Sequence, residues 1–331
     1  MIIILTEAGE GIGYGHLTRM TALAECLLES REQVRILIEW HGQRVCPDQL
    51  LSTFTVFHPW WANPTEAALC HKADTVIVDS YRSPRETYNA LFNRFRIVAV
   101  DDYHRLDYPV HMVINPNPYG DASCYQPTAL SALAGPEYVI LRKAFRLRKG
   151  LFQVRDRLTH VVIALGGDDP LSLGIQLGVC VASSGYNVTL VGPYSSPPTV
   201  PSGLLSVSPV RSPLDLAELF LSADVVVSGG GQTLHELACL GVPTIAIECG
   251  ADQARNLDYY AAQGFIDIPP HTDQSQGIDE FVLCRLQHMT SRDIRVQAAL
   301  RARNGVAASG VMNIVHAIVG NPQQASLGAP R

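Results

Sequence analysis

"IIILTEAGEGIGYGHLTRMTALAECLLE", residues 2–29, opens on an apolar run, passes through Gly9, Gly11, Gly13 and Gly15, and closes on a leucine- and alanine-rich segment. A run with no polar alternation reads as a strand buried on both faces, the habit of a parallel sheet. Residues 17–29 carry apolar positions at helical spacing. The chain therefore begins strand, glycine turn, helix, and His16 and Arg19 stand where the helix starts.

The same alternation continues. Apolar runs at 34–40, 54–58, 75–79, 96–102 and 110–115 read as strands, with a helix at 84–95 and a Pro/Gly/Ser-rich loop at 116–135. It then restarts with "HVVIALGGDDP" (160–170), followed by strands at 187–193, 223–231 and 243–249. Helices fit 170–184, 213–222, 232–240, 252–263, 277–289 and 293–303. This predicts an α/β chain of two Rossmann-like, doubly wound halves: 1–150, then 151–318, with a tail at 319–331 that lacks periodicity. A length of 331 residues also exceeds what one hydrophobic core usually supports.

Composition narrows the function. A net charge of -6 and the absence of a basic block argue against a nucleic-acid partner. The opening "MIIIL" is too short for a signal core or an integral membrane segment. The eight cysteines form no C-x-x-C pair, so a reduced, cytoplasmic setting is expected. Nothing in the sequence fixes the oligomeric state.

Two doubly wound halves turn their strand C-termini toward a shared cleft, and ligands bind at such ends. One reading of the first turn is a dinucleotide fingerprint, with Glu39 as the distal acid. The register argues against it, because the third glycine slot falls on Tyr14 or His16. In the other reading the glycines let backbone pass beneath a sugar and His16 faces the cleft. The positive end of a helix favours the neutral imidazole, which can accept a proton. A capping or packing histidine is the plain alternative.

The second turn, "VVVSGGGQTLHELACLGVP" (225–243), ends a buried strand in Gly229, Gly230 and Gly231 and starts a helix with Gln232 and Thr233. Such a helix N-terminus suits diphosphate oxygens. Glu236, at helical spacing, can accept hydrogen bonds from ribose hydroxyls. "HELAC" lacks the second histidine of a zincin and no third ligand is evident, so metal: none. No cofactor is expected. In "ECGADQARNLDYYAAQG" (248–264), Gln253 and Asn256 are candidates for sugar hydroxyls.

Together these segments resemble the GT-B nucleotide-sugar enzymes, above all the UDP-sugar hydrolases of the pseudaminic acid pathway and related spore-coat polysaccharide proteins. The likeness runs over residues 1 to about 316 through "GYGHLTRMTALA", "VDSY" (78–81), "VDDY" (100–103), "INPN" (114–117), "YVILRKAF" (138–145) and "LGGDDP" (165–170). The resemblance implies a UDP-sugar partner, with UDP held in the second half. Glu236 would hold the ribose and the 229–233 turn the diphosphate. His16 would activate water for inverting attack at the anomeric carbon, with Asp79 and Tyr81 beside it. The matching motifs add Gly13, Gly15, Arg19, Asn115, Gly167 and Asp168 as site residues. The family's opening R-x-D is here "TEAGE" (6–10), so the arginine is absent and the acid is Glu7 or Glu10. The same scaffold serves inverting glycosyltransferases, and a non-catalytic nucleotide-sugar binding protein is a further alternative.

Overall fold

The computed structural model describes residues 1–43, 46, 51–166, 173–194, 200, 203–208, 212–267 and 277–320. Gly167 and Asp168 lie outside the described residues.

The first sheet has seven strands in the order β3-β2-β1-β4-β5-β6-β7. They are β1 (Ile2–Gly9), β2 (Val34–His41), β3 (Thr55–Phe57), β4 (Thr75–Asp79), β5 (Arg96–Val100), β6 (Met112–Asn115) and β7 (Ala132–Ala134). Every pairing is parallel. All eight β1 residues are buried, as its unbroken apolar start requires. Helix α1 (Gly15–Glu29) covers one face, α2 (Pro64–Cys70) and α3 (Arg85–Phe92) the other. The Pro/Gly/Ser-rich loop at 116–135 hides the short strand β7, whose "ALA" has too few residues to show a period.

The sheet order reverses beside β1, between β2 and β4. That is the topological switch point of an open α/β sheet, where a crevice opens beyond the strand C-termini. Gly9 ends β1 at φ +122°, and a Cβ there would collide with the His41 carbonyl oxygen. Only glycine lets β1 turn away so close to β2.

Helix α4 (Lys143–Arg146) leads into the second sheet, ordered β10-β9-β8-β11-β12 and again wholly parallel. Its strands are β8 (His160–Ala164), β9 (Asn187–Val191), β10 (Leu205–Val207), β11 (Val225–Gly229) and β12 (Thr244–Ile247). Helices α5 (Leu173–Ser183), α6 (Pro213–Ser222), α7 (Gln232–Leu240), α8 (Ala254–Ala262), α9 (Ile278–His288) and α10 (Arg292–Asn304) surround it. Ser212 caps α6 through Asp215 N–H at 3.1 Å with Pro213 at the first turn. Gly241 ends α7 in the left-handed region at φ +82°. The order reverses beside β8, so the β8 and β11 ends face the crevice of the first sheet.

The last helix, α11 (Gly310–Val319), does not stay with the second sheet. Val311, Ile314, Val315 and Ile318 lie in the core built on β1 and α1. The division at residue 318 drawn from the sequence therefore puts this helix with the wrong sheet. Its apolar face is complementary to α1, a long-range pairing that local periodicity does not encode.

Candidate active site

A cavity of about 1660 Å³ lies between the two sheets. From the first half it is lined by Tyr14, Gly15, His16, Thr18, Arg19, Tyr81, Asp102, Tyr103 and Asn117. From the second it is lined by Gly166, Gly229, Gly231, Gln232, Thr233, His235, Asp252, Gln253 and Asn256.

At its centre is a buried polar cluster. His16 Nδ1 lies 2.8 Å from Asp79 Oδ1. The carboxylate can only accept, so Nδ1 carries a proton, and in the neutral ring the lone pair lies on Nε2. Arg19, one turn further along α1, donates from Nε (2.8 Å) and Nη2 (2.6 Å) to Asp79, and from Nη1 to both oxygens of Asp102. One guanidinium thus joins the ends of β4 and β5. Burial alone raises the Asp79 carboxyl, but Arg19 and His16 outweigh it and hold the group well below the usual carboxylate range.

Asp102 also accepts from Asn117 Nδ2 at 2.6 Å and from the Tyr81 hydroxyl. Burial and the neighbouring Asp102 push the Tyr81 phenol far above its ordinary value, so it remains protonated. Its ring meets His16 edge-on, with centroids 4.2 Å apart. The Tyr81 backbone N–H and the Ser80 hydroxyl donate to Glu7 Oε1, each at 3.0 Å. Glu7, fully buried, anchors the turn after β4, while Glu10 is on the surface.

Not every expected residue reaches the cavity. Asn115 does not line it: its amide nitrogen bonds the Tyr125 hydroxyl and the Asp102 carbonyl, and its oxygen accepts from Asn117. Asn117, two residues past the end of β6, takes the place on the cavity wall. Gly13 closes the first turn through a Gly9–Gly13 bridge, and Gly230 sits behind Gly229 and Gly231, its N–H donating to Gln253 Oε1 at 2.7 Å. Asp79 is one layer beneath His16. Glu236 is fully buried on the far side of α7, gripped by Arg142 Nε and Nη2 at 2.6 Å each. Gln232 lies on the same stripe, its amide donating to the Ile140 carbonyl. Glu236 therefore faces the chain linking the halves, and Gln232, one turn earlier on the same helix face, reaches that chain with its amide while still lining the cavity.

Asn256 lines the cavity and, among the described residues, its buried Oδ1 has no hydrogen-bond partner. Thr233 sits in the first turn of α7, whose Gly231 cap supplies no side-chain bond. Leu234 N–H donates to the Gly231 carbonyl at 3.0 Å, and the N–H groups of Gln232 and Thr233, ahead of the first intrahelical bonds, are the ones such a turn offers to an anion. Glu39 accepts from Trp61 N–H at 3.1 Å. Asp102, Tyr103, Asn117 and Arg142 were not singled out from sequence, although all four stand in the quoted "VDDY", "INPN" and "YVILRKAF". Among the described residues, no group of three His, Cys, Asp or Glu side chains could hold a metal ion, and no helix is long and apolar enough to cross a membrane.

No family model matches the chain. The spore coat polysaccharide biosynthesis protein SpsG of Bacillus subtilis (strain 168) is 23% identical over 282 residues, covering 79% of this chain and 81% of that protein. Among solved structures, MurG of Acinetobacter baumannii superposes with a TM-score of 0.62 at 15% identity, covering 96% and 99% of the two chains. The chain has the GT-B fold. The UDP-GlcNAc 2-epimerase of Neisseria meningitidis bound to UDP-GlcNAc gives 0.61 at 12% identity, over 97% and 100%. Other solved structures of this fold that it resembles include glycosyltransferases, among them the spinosyn rhamnosyltransferase SpnG complexed with thymidine diphosphate.

Proposed function

We propose that this chain is an enzyme that hydrolyses a UDP-linked diacetamido-trideoxyhexose, in nonulosonic acid or surface-polysaccharide biosynthesis. The observation that carries the reading is the His16–Asp79 pair at the cavity wall. Asp79 fixes the tautomer that leaves Nε2 free, and His16 is itself only 4% exposed. In the reaction, a water oxygen bonds to the anomeric carbon from the face opposite the diphosphate. The carbon–oxygen bond to phosphate breaks, UDP leaves with the electron pair, and the water proton goes to His16 Nε2. The first turn of α7, with Gly231 and Thr233, takes the charge gathering on the leaving group. Gln253 and Asn256 meet the sugar or ribose hydroxyls. The distant SpsG relative and the UDP-sugar enzymes among the neighbours support this class of substrate.

An inverting transfer to an acceptor hydroxyl is the second reading. The size of the cavity favours it, since one small-molecule site usually occupies about 300–1,000 Å³ and this space runs on past Glu25 to Leu28 and Leu147. Turnover of the UDP-sugar in ¹⁸O-water without acceptor separates the two. Label in the released sugar and none in UDP is the expected result, and turnover only on adding an acceptor would establish the transferase. His16→Ala should lose about 10²–10⁴-fold in turnover while UDP still binds. Full activity in that variant would remove His16 from the mechanism in either case.

A further inference from the structure

The motif "HELAC" holds a histidine that the mechanism does not use. The i, i+4 pair His235 and Cys239 does not converge on a shared ligand. Cys239 Sγ points to the Phe145 carbonyl, and His235 Nδ1 lies 2.9 Å from the Tyr260 hydroxyl. His235 lines the cavity one helical turn beyond Gly231, and is 3% exposed.

Tyr260 decides which nitrogen of His235 carries the proton. Its side chain is fully buried, and among the described residues His235 is the only hydrogen-bond partner of its hydroxyl. A buried O–H without an acceptor is costly. The arrangement that satisfies both groups has the Tyr260 O–H donating to Nδ1, which places the ring proton on Nε2. With Nδ1 engaged, Nε2 is the nitrogen left for the cavity. Burial pushes the His235 pKa down to about 4, with Asp102 raising it and Arg19 lowering it, so the ring is neutral at pH 7. His235, His16, Arg19 and Asp102 all line the same cavity, as does Thr233 in the first turn of α7.

We infer that His235 is a further substrate-binding residue, whose Nε2–H donates to an anionic diphosphate oxygen of the ligand. The identity of that ligand rests on the nucleotide-sugar reading, whereas the tautomer does not. An uncharged donor at this position holds the diphosphate without adding a cation that would make product release slow. Glu236, the next residue, already balances Arg142.

Two measurements test it. Nitrogen-15 correlation spectra of the histidine rings at pH 7, with His235 assigned from its loss in His235→Gln, should show the Nε2–H tautomer. Calorimetry with UDP and with uridine should then show a phosphate-specific effect. His235→Phe keeps a ring of similar size without the donor, and should weaken UDP by roughly ten- to hundredfold while uridine is unchanged. His235→Gln, whose amide nitrogen can approach the position of Nε2, should recover most of the UDP affinity. Tyr260→Phe removes the bond that fixes the tautomer and should give both ring forms with a partial loss of UDP affinity, which keeps the test open if His235→Phe does not fold. An Nδ1–H tautomer in a protein that binds UDP overturns this inference alone, as does equal weakening of UDP and uridine. A wild-type protein that binds neither overturns the functional reading, and with it the assignment of the ligand.

Discussion

A single guanidinium holds the cluster together. Arg19 neutralises two buried carboxylates, Asp79 and Asp102, and removing it takes their shared cation away, leaving only the hydrogen bonds from His16 to the one and from Asn117 and Tyr81 to the other. Arg19→Met should cost about 3–5 kcal/mol at neutral pH. The pH dependence has a definite sign. The folded-state pKa of Asp79 is depressed, so its contribution is present above the unfolded value of about 3.9 and is lost as pH falls below it. The gap between wild type and Arg19→Met in urea unfolding should be widest at pH 7 and narrow below about pH 4. A constant gap from pH 3 to pH 8 would contradict this. The pair Glu236–Arg142 permits a parallel test. Glu236→Ala strands a largely buried arginine and should also cost about 3–5 kcal/mol, whereas Glu236→Ala with Arg142→Met should recover most of it in thermal unfolding. Here the sequence reading and the structure part company. The motif places Glu236 on α7 correctly, but local spacing cannot say that Arg142, remote in sequence, occupies both its oxygens. His16, Arg19 and Tyr81 were legible because they stand at strand–helix turns. Asp102 and Asn117 were overlooked inside quoted motifs, since strand-end tips rather than strand residues reach the crevice.

At the scale of elements, the long strands and helices were legible because a buried parallel strand has no polar alternation and a helix repeats its apolar face. The predicted helix over 232–240 coincides with α7, Gln232–Leu240. Several short elements were not: β7 and β10 have three residues each, fewer than a period needs, and α2 is the seven-residue "PTEAALC" opened by Pro64. Helix α11 was expected as neither a helix nor a partner of α1. Its start depends on Gly310, where a Cβ would strike the backbone of Val139, including the carbonyl oxygen. The backbone there cannot yield without moving the chain that joins the halves. Gly310→Ala should destabilise by about 1–3 kcal/mol, read as a lower urea midpoint with an unchanged slope. Wild-type stability in that variant would show that α11 docks more loosely than its packing implies.

Over the whole molecule, the crevice is bridged by side-chain contacts between its two halves. The Tyr103 hydroxyl reaches the Asp252 carbonyl at 3.3 Å, and Arg255 stacks over the Tyr119 ring at 4.5 Å. Tyr119 also donates to the Asp102 carbonyl, and Tyr103 touches Tyr81, so both bridges start from the buried polar cluster. They end on the segment carrying Gln253 and Asn256. The bridges therefore tie the proposed base in one half to the proposed ligand groups of the other. Contacts between domains of this kind are individually weak, about 0.5–2 kcal/mol for a cation–π pair, and they can break and reform as ligand enters. Tyr119→Ala should consequently leave UDP affinity unchanged, because the proposed diphosphate site on α7 lies within the second half. Turnover should fall, by up to about a hundredfold if the reacting groups shift by an ångström. Small-angle scattering should show a larger radius of gyration for the variant when a UDP-sugar is bound, and the same radius as wild type if Tyr119 has no part in closing the crevice. Loss of UDP affinity together with turnover would place Tyr119 in the nucleotide site instead of at the bridge.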